Sequence, residues 1–221
     1  MKEQEVRNKE MNQVRDRLAD CEKVLVGIGK EWKADGDDRQ VEVMAAYESL
    51  YQWIKDKDYF IVTTNTDGAV FHSALDQSRI TAPCGNVNWR QCSRACTKDI
   101  WEAGEVPDDI CPHCGAPMTG NTVEAETYIE EGYLPSWNAY TSWLTTTLNK
   151  KLVVLELGEG FLTPTVIRWP FEKTVFFNRK SYLYRVNETF SQISEEIKER
   201  AEGIAENSML WIRKMNSDSE E

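Results

Sequence analysis

Two short cysteine pairs, Cys92-x3-Cys96 and Cys111-x2-Cys114, with 14 residues between them, constrain this chain more than any other feature. Tetrahedral zinc takes four soft ligands, and two tight knuckles that each supply two thiolates complete such a site locally. Pro112, Gly115 and Pro117 give the second knuckle its turn chemistry. Four sulfurs leave no open position for water, so Cys92, Cys96, Cys111 and Cys114 are expected to hold a structural Zn2+ and not a catalytic one. The alternative, four unrelated buried thiols, leaves the paired spacing without a reason. His113 lies between two expected ligands and reads as a solvent-facing knuckle residue.

Outside residues 89–118, which show no helical or strand period, the pattern is regular. Met11, Val14, Leu18 and Cys21 recur at helical spacing among charges and predict a surface helix over residues 1–20. Lys23 to Val26 reads as a buried strand running into Gly27-Ile28-Gly29. An amphipathic helix is expected from Val41 to Lys55, a strand from Tyr59 to Val62, a short helix from Phe71 to Leu75 and a brief strand from Arg79 to Ala82. A helix from Ser136 to Asn149, a strand from Leu152 to Leu157, a helix from Pro164 to Asn178 and a strand from Tyr182 to Val186 follow. Phe190, Ile193, Ile197, Ile204 and Trp211 predict a helical tail from Ser191 to Met215, and the last acidic residues are expected to fray.

Short unbroken apolar strands that alternate with helices signal a parallel sheet covered on both faces. The expected fold is therefore α/β, a Rossmann-like parallel sheet with helices on both faces and an inserted four-cysteine zinc ribbon. Residues 1–88 and 119–221 would form the sheet domain, and 89–118 the insertion. Ligands of such sheets sit beyond the carboxyl ends of the strands. Small and polar residues gather there: Gly27-Ile28-Gly29, Thr64-Asn65-Thr66-Asp67, Cys84-Gly85, Gly158-Glu159-Gly160 and Asn187.

The net charge of −11 opposes a duplex nucleic-acid partner, which needs a basic face. No stretch approaches the ~20 apolar residues of a membrane span. Met1 to Asp20 is charged throughout and has no apolar core of a secretion signal, so the cytoplasm is the expected compartment.

In order and spacing these motifs resemble the sirtuin family over about Lys23 to Asn187. Gly27-Ile28-Gly29 is similar to that family's first glycine loop, Thr64-Asn65-Thr66-Asp67 to its Gln-Asn-Ile-Asp segment, and Cys84-Gly85 to its catalytic His-Gly. Gly158-Glu159-Gly160 resembles the second glycine loop, and Asn187 the asparagine at the adenosine end. Within the family, the macrodomain-linked bacterial class (class M) looks closest. That class has Gln-Gly for His-Gly and a "GVGFNTP" turn, against Gly158-Glu159-Gly160-Phe161-Leu162-Thr163-Pro164 here. Gln91-Cys92-Ser93, with Cys96 soon after, also matches.

The resemblance implies cleavage of the nicotinamide–ribose bond of NAD, with ADP-ribose passed to a protein acceptor or used in deacylation. It implies cofactor contacts at Gly27, Gly29, Thr64, Asn65, Asp67, Gly158, Gly160 and Asn187. It puts Asn65, Asp67 and Cys84 at the chemical centre. His72 reads as a structural histidine. Three departures stand out. A thiol replaces the usual base at Cys84, and 35 residues separate Gly29 from Asn65 with Lys30-Glu31-Trp32 where the family has a longer cofactor loop. The third is Glu159, whose charge would repel a pyrophosphate unless it points away or meets a cation. A module that binds NAD or ADP-ribose without turnover is therefore the competing reading, followed by an interaction scaffold.

Overall fold

The computed structural model describes residues 2–217, with side chains over residues 11–215. The expected fraying falls partly on 218–221, outside the described residues. In chain order the elements are α1 (Lys2–Asp20), β1 (Lys23–Ile28), α2 (Asp37–Ile54), β2 (Asp58–Thr63) and β3 (Ile80–Thr81). Next come β4 (Gly85–Cys92), β5 (Trp101–Glu102), β6 (Met118–Thr122) and α3 (Leu134–Thr145). The chain closes with β7 (Leu152–Leu157), α4 (Arg168–Phe177), β8 (Ser181–Val186), β9 (Ala201–Ile204) and α5 (Ser208–Ser217).

Six strands form one parallel sheet in the order β3-β2-β1-β7-β8-β9. With the inserted strands set aside, this is the doubly wound order, and its direction reverses between β1 and β7. The strands are apolar along their length because both faces are covered. Val24, Val26 and Ile28 of β1 join Val14 and Leu18 of α1, Tyr47 and Leu50 of α2 and Ile212 of α5 in one core. Leu25, Phe60, Val154 and Leu183 pack with Tyr140 and Trp143 of α3 and Phe171 and Val175 of α4 in the other. Gly27 belongs to that second face: a Cβ there would lie 2.5 Å from Ile167 Cγ2 and 2.7 Å from Phe171. Gly27→Ala should therefore overpack the joint between β1 and α4 and cost about 1–3 kcal/mol in urea unfolding. An unchanged midpoint would show that α4 shifts freely.

The predicted helical tail is corrected. Residues 201–204 form β9, in register with Leu183–Val186, after a 3-10 turn at Lys198–Arg200, and the α-helix is confined to 208–217. The apparent helical period mixed two environments, since Ile197 and Ala201 enter one core and Trp211 the core on the opposite sheet face. Gly203, inside β9, lets the chain at Ser191 pack against the strand, because a Cβ there would meet the Ser191 carbonyl oxygen at 2.1 Å. The short helix expected from Phe71 to Leu75 is a 3-10 turn at Ala69–His72. The helix expected from Pro164 begins at Arg168.

Residues 85–122 carry a three-stranded antiparallel sheet, β5-β4-β6, inserted after β3. Its core is small: Cys92, Val106, Cys111, Ala116 and Met118, with Trp101 against them. Among the described residues, no helix is long and apolar enough to cross a membrane.

Candidate functional site

The insert brings its cysteines together. The sulfurs of Cys92, Cys96, Cys111 and Cys114 all lie within 4.8 Å of one another, with Cys92–Cys114 and Cys96–Cys111 at 3.6 Å. Zinc–sulfur bonds of about 2.3 Å in a tetrahedron place sulfurs about 3.8 Å apart, so the donor set fits that ion. His113 turns outward, its Nε2 2.9 Å from Asp99, and takes no part in the cluster.

The second constellation lies at the carboxyl ends of β1, β2 and β7, where the sheet order reverses. Ile28 ends β1 and Gly29 follows, its N–H donating to the Leu157 carbonyl at 2.9 Å. Asn65 is buried just past β2. Its Nδ2 donates to the Gly29 carbonyl (3.0 Å) and its N–H to Thr63 Oγ1 (3.1 Å), so the amide is fixed across the crevice. Thr64 Oγ1 donates to Glu159 Oε2 at 2.6 Å. Asn187 holds this loop from the far side: its Nδ2 donates to the Glu159 carbonyl (2.9 Å), and its Oδ1 accepts from the N–H groups of Thr189 and Phe190.

Cys84 is buried beside this cluster. Burial first, and the neighbouring Glu159 second, push its thiol up to about 11, against a hydrogen bond with the Thr163 side chain. It is therefore a neutral thiol at neutral pH, unsuited to act as a base. Burial likewise pushes the Glu159 carboxyl up to about 7; the Thr64 hydroxyl opposes that rise.

Other expected site residues face elsewhere. Asp67 clamps two loops, its Oδ2 accepting from the Ala34 N–H (2.8 Å) and its Oδ1 from the Ala69 N–H (2.9 Å). Gly27 is turned to α4. Gly158 adopts φ +69° with Glu31 Cβ 2.5 Å from where its own Cβ would lie, and Gly160 meets only the Phe190 ring at 3.6 Å. Of the four glycines, Gly29 is the one whose open side faces Glu159.

Lys30 to Trp32 form a 3-10 turn with Lys30 exposed. Glu31 is a clamp, accepting from the Ser208 N–H (2.7 Å), Ser208 Oγ (2.6 Å) and the Glu188 N–H (2.8 Å). The α2 amino terminus, where a Rossmann phosphate would otherwise find a helix dipole, starts only at Asp37 and opens with two acids. His72 lines a separate groove of about 630 Å³ with Asn86 and Trp89.

A buried ionic network under the crevice was not anticipated. Glu156, in β7, stands opposite Arg185 of β8 and accepts from its Nε at 2.6 Å and its Nη2 at 2.9 Å. Arg168 of α4 adds a contact at 3.3 Å, and Glu172 accepts from Arg185 Nη1 at 2.8 Å. Both arginines also donate to the Gln192 carbonyl, which ties the loop after Asn187 to the sheet. The sequence signal was available: an acid inside an otherwise apolar central strand, with an arginine in the adjacent one.

Against solved structures the whole architecture aligns. Sir2Tm bound to a propionylated peptide superposes with a TM-score of 0.63 at 12% identity, over 95% of this chain and 98% of that one. A Sir2 homologue–NAD complex gives 0.61 at 9% identity, over 95% and 93%. This chain has the sirtuin fold. A Sir2 homologue mutant with ADP-ribose superposes at 0.62, with 11% identity over 92% and 94%. Among curated proteins, a protein ADP-ribosyltransferase of Staphylococcus aureus is 25% identical over 193 residues, 79% of this chain and 61% of its own length. A probable bifunctional ADP-ribose hydrolase/ADP-ribosyltransferase of Fusarium oxysporum f. sp. cubense is 25% identical over 155 residues, 58% of this chain and 26% of its own. This sirtuin-fold chain therefore spans 61% of the length of the first relative and 26% of the second. No protein-family model matches it.

Proposed function

We propose that this chain is an NAD-dependent ADP-ribosyltransferase of the sirtuin type, with a structural zinc in its insert. The observation that carries the reading is that Gly29, Thr64, Asn65, Cys84 and Asn187 gather around Glu159 at the strand-order reversal of a sirtuin fold. The ADP-ribosyltransferase names of two distant relatives support it.

NAD supplies a glycosidic bond whose cleavage leaves positive charge on the ribose, much as in glycoside hydrolysis. The chain's task is to hold and orient that ribose against an acceptor. Asn65, held by the Gly29 carbonyl through its nitrogen, would use its amide oxygen to fix a ribose hydroxyl or the carboxamide. Gly29 supplies the carbonyl that holds the Asn65 amide, while its own N–H is taken up by the Leu157 carbonyl. Asn187 shapes the adenosine end through the loop it caps. Cys84, a neutral thiol, carries no proton in this account. Cys92, Cys96, Cys111 and Cys114 would hold the zinc, which anchors the insert and stands outside the chemistry.

Nicotinamide release on incubation with NAD tests the reading. Wild type should release it, and Asn65→Ala should be slower by about 100-fold, the usual cost of losing substrate position. Equal rates would remove Asn65 from the centre. A second reading, a module that binds ADP-ribose without turnover, is favoured by Asp67, both of whose carboxylate oxygens are engaged by backbone N–H groups. Binding without nicotinamide release would select it.

A further inference from the structure

We propose that Glu159 is a specificity-determining residue of this site: its carboxyl stands against the glycine beside which a dinucleotide pyrophosphate would lie, so the ligand binds together with one proton taken up at Glu159. The proposal deepens the nucleotide reading above and rests on it.

Position carries the argument. In a doubly wound sheet the pyrophosphate lies against the glycines that follow the first strand, because a missing side chain lets phosphate approach the backbone. Here the open side of Gly29 is filled. A Cβ on that glycine would lie 2.4 Å from Glu159 Cα and 2.6 Å from Glu159 Oε2. The carboxyl is held there by Thr64 Oγ1 at 2.6 Å, and its own backbone by Asn187 at 2.9 Å. The residue is 2% exposed, so water does little to screen its charge.

The surroundings make that charge conditional. Facing it are the Thr64 hydroxyl from the end of β2, the Cys84 thiol from the loop after β3, Glu156 from β7 and Arg168 from α4. Beyond Cys84, Thr163 bonds to the thiol. Glu156 and Arg168 act on Glu159 with opposite sign and are paired with each other at 3.3 Å, so they largely offset. Burial then dominates and pushes the Glu159 carboxyl up to about 7, while Cys84 stands at about 11, beyond the neutral range. Arg168 stays cationic throughout.

An ionised Glu159 would set a third negative charge against two phosphates in a site of low dielectric, which is strongly unfavourable. A protonated carboxyl is neutral and can donate a hydrogen bond to a phosphate oxygen. The sign follows: affinity for a pyrophosphate is full below the carboxyl's pKa and is lost as pH rises through it. The sirtuin-like glycine loops therefore accept dinucleotides here only in the protonated state of a residue that those loops do not require.

Calorimetry with ADP-ribose and, separately, adenosine tests this on wild type and Glu159→Gln. For wild type, ADP-ribose affinity should fall about thirty-fold from about pH 6 to about pH 8.5, the change for one proton at a group near 7. In Glu159→Gln it should be flat and as tight as wild type at the acid end. Adenosine, which has no phosphate, should bind without pH dependence in both. Equal, pH-independent ADP-ribose binding by both proteins would overturn the proposal and leave the nucleotide reading standing. No ADP-ribose binding by either protein at any pH would overturn both.

Discussion

Cys111→Ser should abolish stoichiometric zinc and unfold the insert while the six-stranded sheet survives. Residues 85–122 bury a core of only a few side chains, two of them cysteines of the cluster, which is too little to hold three short strands alone. Binding of structural zinc by such sites is worth about 10–16 kcal/mol, and in a small module that energy is folding energy. Elemental analysis should find about one zinc per wild-type chain and none in the variant. Limited proteolysis should then cut between residues 93 and 117 in the variant alone. The crevice would feel the loss, because β4 begins at Gly85, next to Cys84, and is held by β6 through the Gly85–Thr122 pair. A variant that keeps its zinc or resists cleavage would contradict the four-thiolate account.

Arg185→Ala should be the most damaging single change within the main sheet. It removes both short guanidinium contacts from Glu156, a carboxylate with no exposed surface, and leaves it to Arg168 at 3.3 Å. Breaking a buried pair by removing one partner costs about 3–5 kcal/mol, because the remaining charge is uncompensated. The same substitution releases Glu172 and one of the two donors to the Gln192 carbonyl, so the loop that Asn187 caps should loosen as well. Urea unfolding would read the loss. A change below about 1 kcal/mol would mean that Arg168 or water replaces the pair.

The features that could be read from sequence are those with a local cause. Val24–Ile28, Tyr59–Val62 and Leu152–Leu155 are unbroken apolar runs bounded by turn residues, the pattern of strands buried on both faces. The metal cluster follows from spacing alone. What escaped is set by neighbours distant in sequence. β9 was hidden because residues bound for opposite sheet faces imitated a helical period. Glu159 looked like a charge set against phosphate. Its depth, and its bond to Thr64 across 95 positions of sequence, appear only when β2 and β7 end on either side of β1. Gly27 and Gly29 are alike in sequence, yet one meets Phe171 and the other Glu159, because Gly27 lies inside β1 and Gly29 lies past its end, in the loop that abuts the turn after β7.

Backbone hydrogen exchange with and without ADP-ribose, at about pH 6 where Glu159 is protonated, tests the location of the site most directly. The account predicts slowed exchange strongest in three segments, 28–32, 64–67 and 158–161, with weaker protection in the loop after Asn187. Protection centred on the groove around His72 and Trp89, or none at saturating ligand, would contradict it.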